Sequence, residues 1–341
     1  MEVGRRRKLF SFGDNNLFGY FHADYFENSK MEKHTSIGVD IGGSHITCAA
    51  VDLERREIIR ETVAERPVDN KGTADEIISR WSEAISETIE LAGRERIKGI
   101  GFAMPGPFDY VNGICLIKGV PKYEKLYGTS VGEAISKALG LSSEIPVRFI
   151  NDASSFAVGE AWAGKAQRSH RSVAITLGTG LGSAFVADKV PVVTGDLVPD
   201  LGCVYYISFK DGIADDYFST RWFTKRYEEV TGKFSSGVKD IAAAAESDNR
   251  VRDVFVEFGK SLASFLSPYL IKFDAEVLVM GGNISRAYHL FGSSMEKEMK
   301  RQHCNTIPLL SELKEDAALL GSAYLLDDSF WSSVRGSLQY M

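Results

Sequence analysis

Cysteine is scarce in this chain, with 4 in 341 residues at Cys48, Cys115, Cys203 and Cys304, and no pair of them has Cys-x-x-Cys spacing. Such scatter argues against a disulfide framework and a structural zinc site, and it points to a reducing cytoplasm. Long apolar runs are missing as well. None approaches the roughly 18 residues that a membrane-spanning helix needs. Positive charge is not in excess, since the formal net charge is -6, and a duplex-binding surface is therefore disfavoured. What remains is 44% hydrophobic and 25% charged, enough to bury a sizeable core in two domains.

Residues 1–35 read as an extension outside the pattern that follows. Arg5, Arg6, Arg7 and Lys8 imitate the start of a signal peptide, but Leu9, Phe10, Ser11 and Phe12 lead into Gly13 and Asp14 instead of an apolar core. Met31 stands only a few residues before the first strand and is the expected initiator.

The chain is organised around Ser36 to Asp52, where two β-branched apolar runs flank Asp40 and the pair Gly42-Gly43. Glycines with special backbone angles would close a tight hairpin there. Backbone N–H groups free of a Cβ can approach a phosphate, with Asp40 at the strand end as a partner for its magnesium. Ser172 to Val186 repeats the unit 136 residues later, placing Thr176 under Asp40 and Gly178 under Gly42. Two related halves, each giving a glycine loop to a shared cleft, are implied.

A strand is expected over 57–64, followed by a capping box at Thr73 and Glu76 and a helix whose stripe is Ile77, Trp81, Ile85 and Ile89. Strand 97–103 ends in the stiff turn Met104-Pro105-Gly106-Pro107. After a short helix over 130–140, strand 146–150 delivers Asn151 and Asp152 to a helix start at Ala153. Strand ends of this kind collect ligands in open α/β sheets, while either residue also suits a plain N-cap. Val190 to Asp216 is poorly patterned. A long helix over 251–273 should bend at Pro268. Strand 276–280 runs into Gly281, Gly282 and Asn283, a third glycine turn. The last clear helix covers 315–326.

Six segments in order carry a family likeness: Val-Asp-Ile-Gly-Gly-Ser (39–44), Gly-Phe-Ala-Met-Pro-Gly-Pro (101–107), Ile-Asn-Asp-Ala (150–153), Leu-Gly-Thr-Gly-Leu-Gly (177–182), Val-Met-Gly-Gly-Asn (279–283) and Glu-Asp-Ala-Ala-Leu-Leu-Gly-Ser-Ala (315–323). Together they resemble the ROK family of sugar kinases and sugar-responsive repressors. The resemblance implies an α/β, two-domain actin-like ATPase (ribonuclease H-like) fold with an interdomain cleft. Its domains would be 36–151 and 152–324, with 325–341 returning to the first. It implies ATP-dependent phosphorylation of a hexose, glucose or a related sugar, at a primary hydroxyl. Asp152 would be the base, with Asn151 and Gly106 beside the sugar. Asp40, Gly42, Gly43, Ser44 and His45, with Thr176, Gly178, Thr179 and Gly180, would hold the nucleotide phosphates. Gly281, Gly282 and Asn283 would border the adenosine. Mg²⁺ would meet Asp40, if need be through water.

Departures from the family cluster in one region. Its zinc segment of one histidine and three cysteines has no counterpart, so no zinc is expected. Asp200 and Cys203 stand where a sugar-gripping glutamate and histidine belong, and Asp215 takes the place of a second glutamate. The asparagine that family members place after a proline, near the sugar, is absent around Gly119-Val120-Pro121. The expected partners are sugar and nucleotide, with no nucleic acid and no membrane, and a homodimer is compatible with the family. The alternatives are a sugar-binding regulator or catalytically weakened homologue, and an actin-like structural ATPase. The regulator is disfavoured because residues 1–35 offer neither length nor helical periodicity for a helix-turn-helix module.

Overall fold

The computed structural model describes residues 34–120 and 122–341, so the expectation about Met31 lies outside the described residues. The first glycine turn joins β1 (Thr35–Ile41) to β2 (His45–Asp52), antiparallel in register from Thr35 opposite Asp52 to Ile41 opposite Ile46. The strand expected over 57–64 is broken in two. β3 (Glu57–Ile58) and β4 (Ala64–Pro67) each pair with β2, separated by a 3₁₀ turn at Arg60–Thr62. The cause is Thr62, whose buried hydroxyl donates to the Ile59 carbonyl and accepts from the Ala50 N–H at 2.9 Å, replacing a ladder bond.

Helix α1 (Ala74–Ala92) starts at the capping box. Thr73 Oγ1 accepts from the Glu76 N–H at 3.3 Å, and a Glu76 carboxylate oxygen accepts from the Thr73 N–H at 2.7 Å. It buries Ile77, Trp81, Ile85 and Ile89 on the first sheet. Truncating a fully buried tryptophan such as Trp81 typically costs about 3–5 kcal/mol. β5 (Ile97–Met104) runs parallel to β1 and leads to a small hairpin of β6 (Phe108–Asp109) and β7 (Ile114–Cys115). α2 (Val131–Leu139) ends at Gly140, whose left-handed φ of 59° closes the helix. β8 (Val147–Asn151) then pairs parallel with β5, giving the order β3-β2-β1-β5-β8.

The second half repeats the plan. After α3 (Asp152–Ala163) come β9 (Arg171–Leu177), β10 (Leu181–Ala187) and β11 (Val190–Pro191). β1 and β9 start 136 residues apart, as do β2 and β10, so the repeat holds residue for residue. The poorly patterned stretch resolves into a hairpin of β12 (Ser208–Phe209) and β13 (Gly212–Ile213), leading to the single turn α4 (Ala214–Tyr217). α5 (Thr220–Thr231), α6 (Val238–Ala245) and α7 (Asn249–Phe273) follow, and α7 continues through Pro268 to Phe273. β14 (Val277–Gly281), α8 (Tyr288–Arg301) and β15 (Ile307–Leu310) complete a sheet of order β11-β10-β9-β14-β15. α9 (Asp316–Tyr324) is followed by a helix that the sequence pattern missed, α10 (Asp328–Val334).

Each sheet is an antiparallel three-stranded meander extended by two parallel strands, the duplicated actin-like plan. One core surrounds the first sheet and includes Leu325, Leu326, Phe330, Val334 and Leu338 from the C-terminal segment. A second covers the outer face of the other sheet with the phenylalanines of α5, α7 and α8. Between the sheets, α3 packs on the second and α9 on the first. The two helices approach so closely that a Cβ on Gly159 would stand 1.9 Å from the Ala317 carbonyl oxygen, and one on Gly321 equally near that of Ser155. Only glycine fits there. This crossing sets the two phosphate-loop candidates facing one cleft.

Candidate active site

A cavity of about 570 Å³ opens at the carboxyl ends of β1, β8, β9 and β14. That is the size range of small-ligand pockets, at the sheet edge where α/β folds bind them. The first turn is closed by the Gly42 N–H donating to the His45 carbonyl at 3.0 Å. Neither Gly42 nor Gly43 has a positive φ, nor do Gly178 and Gly180, so the expectation of special backbone angles is corrected. What glycine supplies instead is room. A Cβ on Gly43 would meet nothing nearer than Lys122 at 3.9 Å, and one on Gly178 nothing within 4 Å. Gly282 differs: its φ is 79° and a Cβ there would stand 2.4 Å from the Leu177 carbonyl oxygen, so β14 can reach β9 only with glycine.

Asp152 opens α3 and does not cap it. The cap is Asn151, whose side-chain oxygen accepts from the Ser154 N–H at 3.1 Å. Asn151 Nδ2 donates to Asp152 Oδ1 at 3.0 Å and to the Tyr110 hydroxyl at 3.3 Å, and Asp152 Oδ1 also accepts from the Ala153 N–H at 2.8 Å. No other described residue donates to Asp152 Oδ2. One oxygen is clamped and the other is left for a proton. Desolvation raises the Asp152 carboxyl above its ordinary value, against the pull of the Ala153 N–H and of Lys122. Asp40 is pushed up to about 7, first by desolvation at the base of the cleft, then by Asp152 and Glu315, while Lys122 opposes the shift.

The cavity brings together Asp40, Gly42, Gly43, Asp152, Thr176, Gly281, Gly282 and Asn283. A neighbouring hollow of about 460 Å³ shares Asn283 and Arg286 with it and extends toward α6. Other expected residues lie outside its lining. Ser44 and His45 shape the first turn, with the His45 ring packed over Gly42. Gly178, Thr179 and Gly180 form a loop tied down by Thr220, Arg221 and Asp215. Asp215 accepts from the Leu181 N–H at 2.6 Å and pairs with Arg221 at 2.6 Å, so its carboxylate is engaged in holding that loop. Asp200 is exposed, and its backbone oxygen accepts from the Tyr206 hydroxyl. Gly106 lies beside the Tyr110 hydroxyl, which donates to the Met104 carbonyl at 3.1 Å.

Sequence reasoning missed three groups. Tyr110 steadies Asn151, Lys122 lies over the first turn, and Glu315 faces Asp40. Glu315 was inside a quoted motif, whereas Lys122 and Tyr110 are placed by long-range contacts alone.

The residues fit magnesium in one respect. No hydrogen-bond donor engages the Asp40 carboxylate among the described residues, and Mg²⁺ is usually held by one or two carboxylates, waters and substrate phosphates. They do not fit the family's zinc. The stretch 190–216 holds one cysteine, Cys203, and no histidine. Phe209 packs there against Tyr217, Phe218 and Phe265, with ring centroids 5.2–5.3 Å apart.

Comparison with known proteins agrees with this architecture. The ROK family profile matches residues 36–329. The glucokinase of Thermotoga maritima is 27% identical over 330 residues, 87% of this chain and 99% of that one. A ROK-family glucokinase from Streptomyces griseus, solved in complex with glucose and AMPPNP, is similar with a TM-score of 0.66 and 23% identity over 85% of this chain and 98% of that one. A ROK-family transcriptional regulator, a homologue of the E. coli MLC protein, has a TM-score of 0.73 and 20% identity over 89% of this chain and 81% of its own. With both glycine hairpins, the Asp152 strand end and α9 inside the matched span, the chain belongs to the ROK family.

Proposed function

We propose that this protein is an ATP-dependent sugar kinase that moves the terminal phosphoryl group of ATP to a primary hydroxyl of a hexose, with glucose the first substrate to test. The observation that carries this reading is Asp152, one oxygen held by Asn151 and Ala153 and the other open, in a cleft shared with the turn at Gly42-Gly43 and with Thr176. Asp152 accepts the hydroxyl proton as the sugar oxygen bonds to phosphorus and the bond from phosphorus to the ADP oxygen breaks. Its raised pKa improves it as a base, and the Asn151 amide fixes its orientation. The open faces of Gly43 and Gly178 leave space for phosphate oxygens against backbone N–H groups. Asp40 would hold Mg²⁺ through water, and the ion, when bound, would neutralise charge on the phosphates. The relatives named as glucokinases support the sugar and the donor. Three buried, unbridged cysteines, Cys48, Cys115 and Cys304, support a reducing cytoplasm as the working compartment.

A sugar-binding regulator is the second reading, favoured by one observation. Asp215, in place of a sugar-side glutamate, is occupied by Leu181 and Arg221. A coupled assay of ADP release over a panel of hexoses separates the readings. A kinase releases ADP only with its sugar, a filament-type ATPase needs none, and a regulator turns over nothing.

A further inference from the structure

We infer that Lys122 contacts the phosphoryl group during transfer and is a further catalytic residue of the kinase proposed above, on which reading this inference rests. Lys122 follows Pro121, where family members place a sugar-side asparagine. Here the position carries a cation, and the fold sets it in the lining of the cavity beside Gly42, Gly43, Asp40 and Asp152. The segment is fastened to the first glycine turn by three hydrogen bonds, one direct and two in series through Asn70. The Tyr123 hydroxyl donates to the Gly42 carbonyl at 2.8 Å, the Tyr123 N–H donates to the Asn70 carbonyl at 2.8 Å, and Asn70 Nδ2 donates to the Gly43 carbonyl. Tyr123 is fully buried against Trp81, and its φ of 59° is a left-handed angle that residues other than glycine rarely adopt. That turn sets Lys122 over the loop, with Cε and Nζ each 3.9 Å from where a Cβ on Gly43 would stand.

Lys122 Nζ makes no hydrogen bond and no ion pair among the described residues, although Asp40 and Asp152 both feel its charge. A solvated surface lysine would not be held half-buried between the loop and two carboxylates. A cation on the transferring phosphoryl group offsets the charge that builds there, and removing one such donor typically costs about 10²–10³ in rate.

The test compares Lys122→Met, Lys122→Arg and Lys122→Gln in the full chain, each first checked for the parent's melting temperature. With a hexose that the parent phosphorylates, Lys122→Met is expected to lose about a hundredfold or more in kcat, with the sugar KM within about threefold, and Lys122→Arg to recover most of the loss. Lys122→Gln serves if the methionine variant does not fold. A kcat within about threefold of the parent, or a loss confined to KM for an anionic acceptor such as a hexuronic acid, overturns the assignment. If the parent phosphorylates no sugar, the kinase reading falls on its own. Calorimetry then decides Lys122: AMPPNP with Mg²⁺ should bind about tenfold more weakly to Lys122→Met while AMP is unaffected, and equal affinities for AMPPNP overturn it.

Discussion

Asp152 is the residue on which the chemistry depends, and its neighbour makes a clean substitution available. Because Asn151 caps α3, Asp152→Asn removes neither the cap nor the side-chain shape. Turnover should fall by about a hundredfold to ten-thousandfold, the usual loss of a general base, while the melting temperature and AMPPNP affinity stay near those of the parent. Near-normal turnover in the variant would mean that Asp152 takes no proton. The glycines separate by what surrounds them. A side chain on Gly43 or Gly178 enters open space, so Gly43→Val and Gly178→Val should fold and bind nucleotide about tenfold or more weakly, roughly 1.4 kcal/mol. Gly282→Ala instead meets the Leu177 backbone at a positive φ, and its expected cost is stability. Calorimetry and thermal melts check both, and unchanged affinity in folded Gly43→Val would return that turn to a purely structural part.

At the scale of elements, the crossing of α3 and α9 contains a buried acid with no part in the proposed chemistry. Glu160 has no solvent exposure, accepts from the Lys165 N–H at 2.9 Å and from the Ser311 hydroxyl, and is raised above the ordinary glutamate value, mainly by burial. An acid with a raised folded pKa stabilises the fold below its unfolded pKa and loses that contribution as pH rises through the folded value. Glu160→Gln abolishes the titration and keeps an acceptor, so its melting temperature relative to the parent should rise steadily from about pH 4 upward. A difference that does not change with pH contradicts this. The strands around the glycine turns were legible in the sequence because β-branched runs on either side of small residues carry a local signal. The break at Thr62 was not, because it depends on a hydroxyl meeting the Ala50 N–H of another strand. Lys122 was invisible for the same reason, since the Tyr123 contact that places it spans 81 residues.

For the whole molecule, the duplication at 136 residues was the most legible feature, and it carried the fold with it. Two copies of one sheet plan, joined by crossing helices, require a cleft where the strand ends face each other. Less of the site could be read this way. Asp40, Asp152, Thr176 and the third glycine turn meet in the cavity, whereas Asp200 and Asp215 were carried over by likeness to a region where this chain has replaced its side chains. Sugar-dependent release of ADP is the direct measurement of what this cleft does. The prediction is turnover that requires ATP, Mg²⁺ and a hexose, with a sugar monophosphate formed in equal amount to ADP. Release of ADP at the same rate without sugar, or no release with any hexose of the panel, would contradict it.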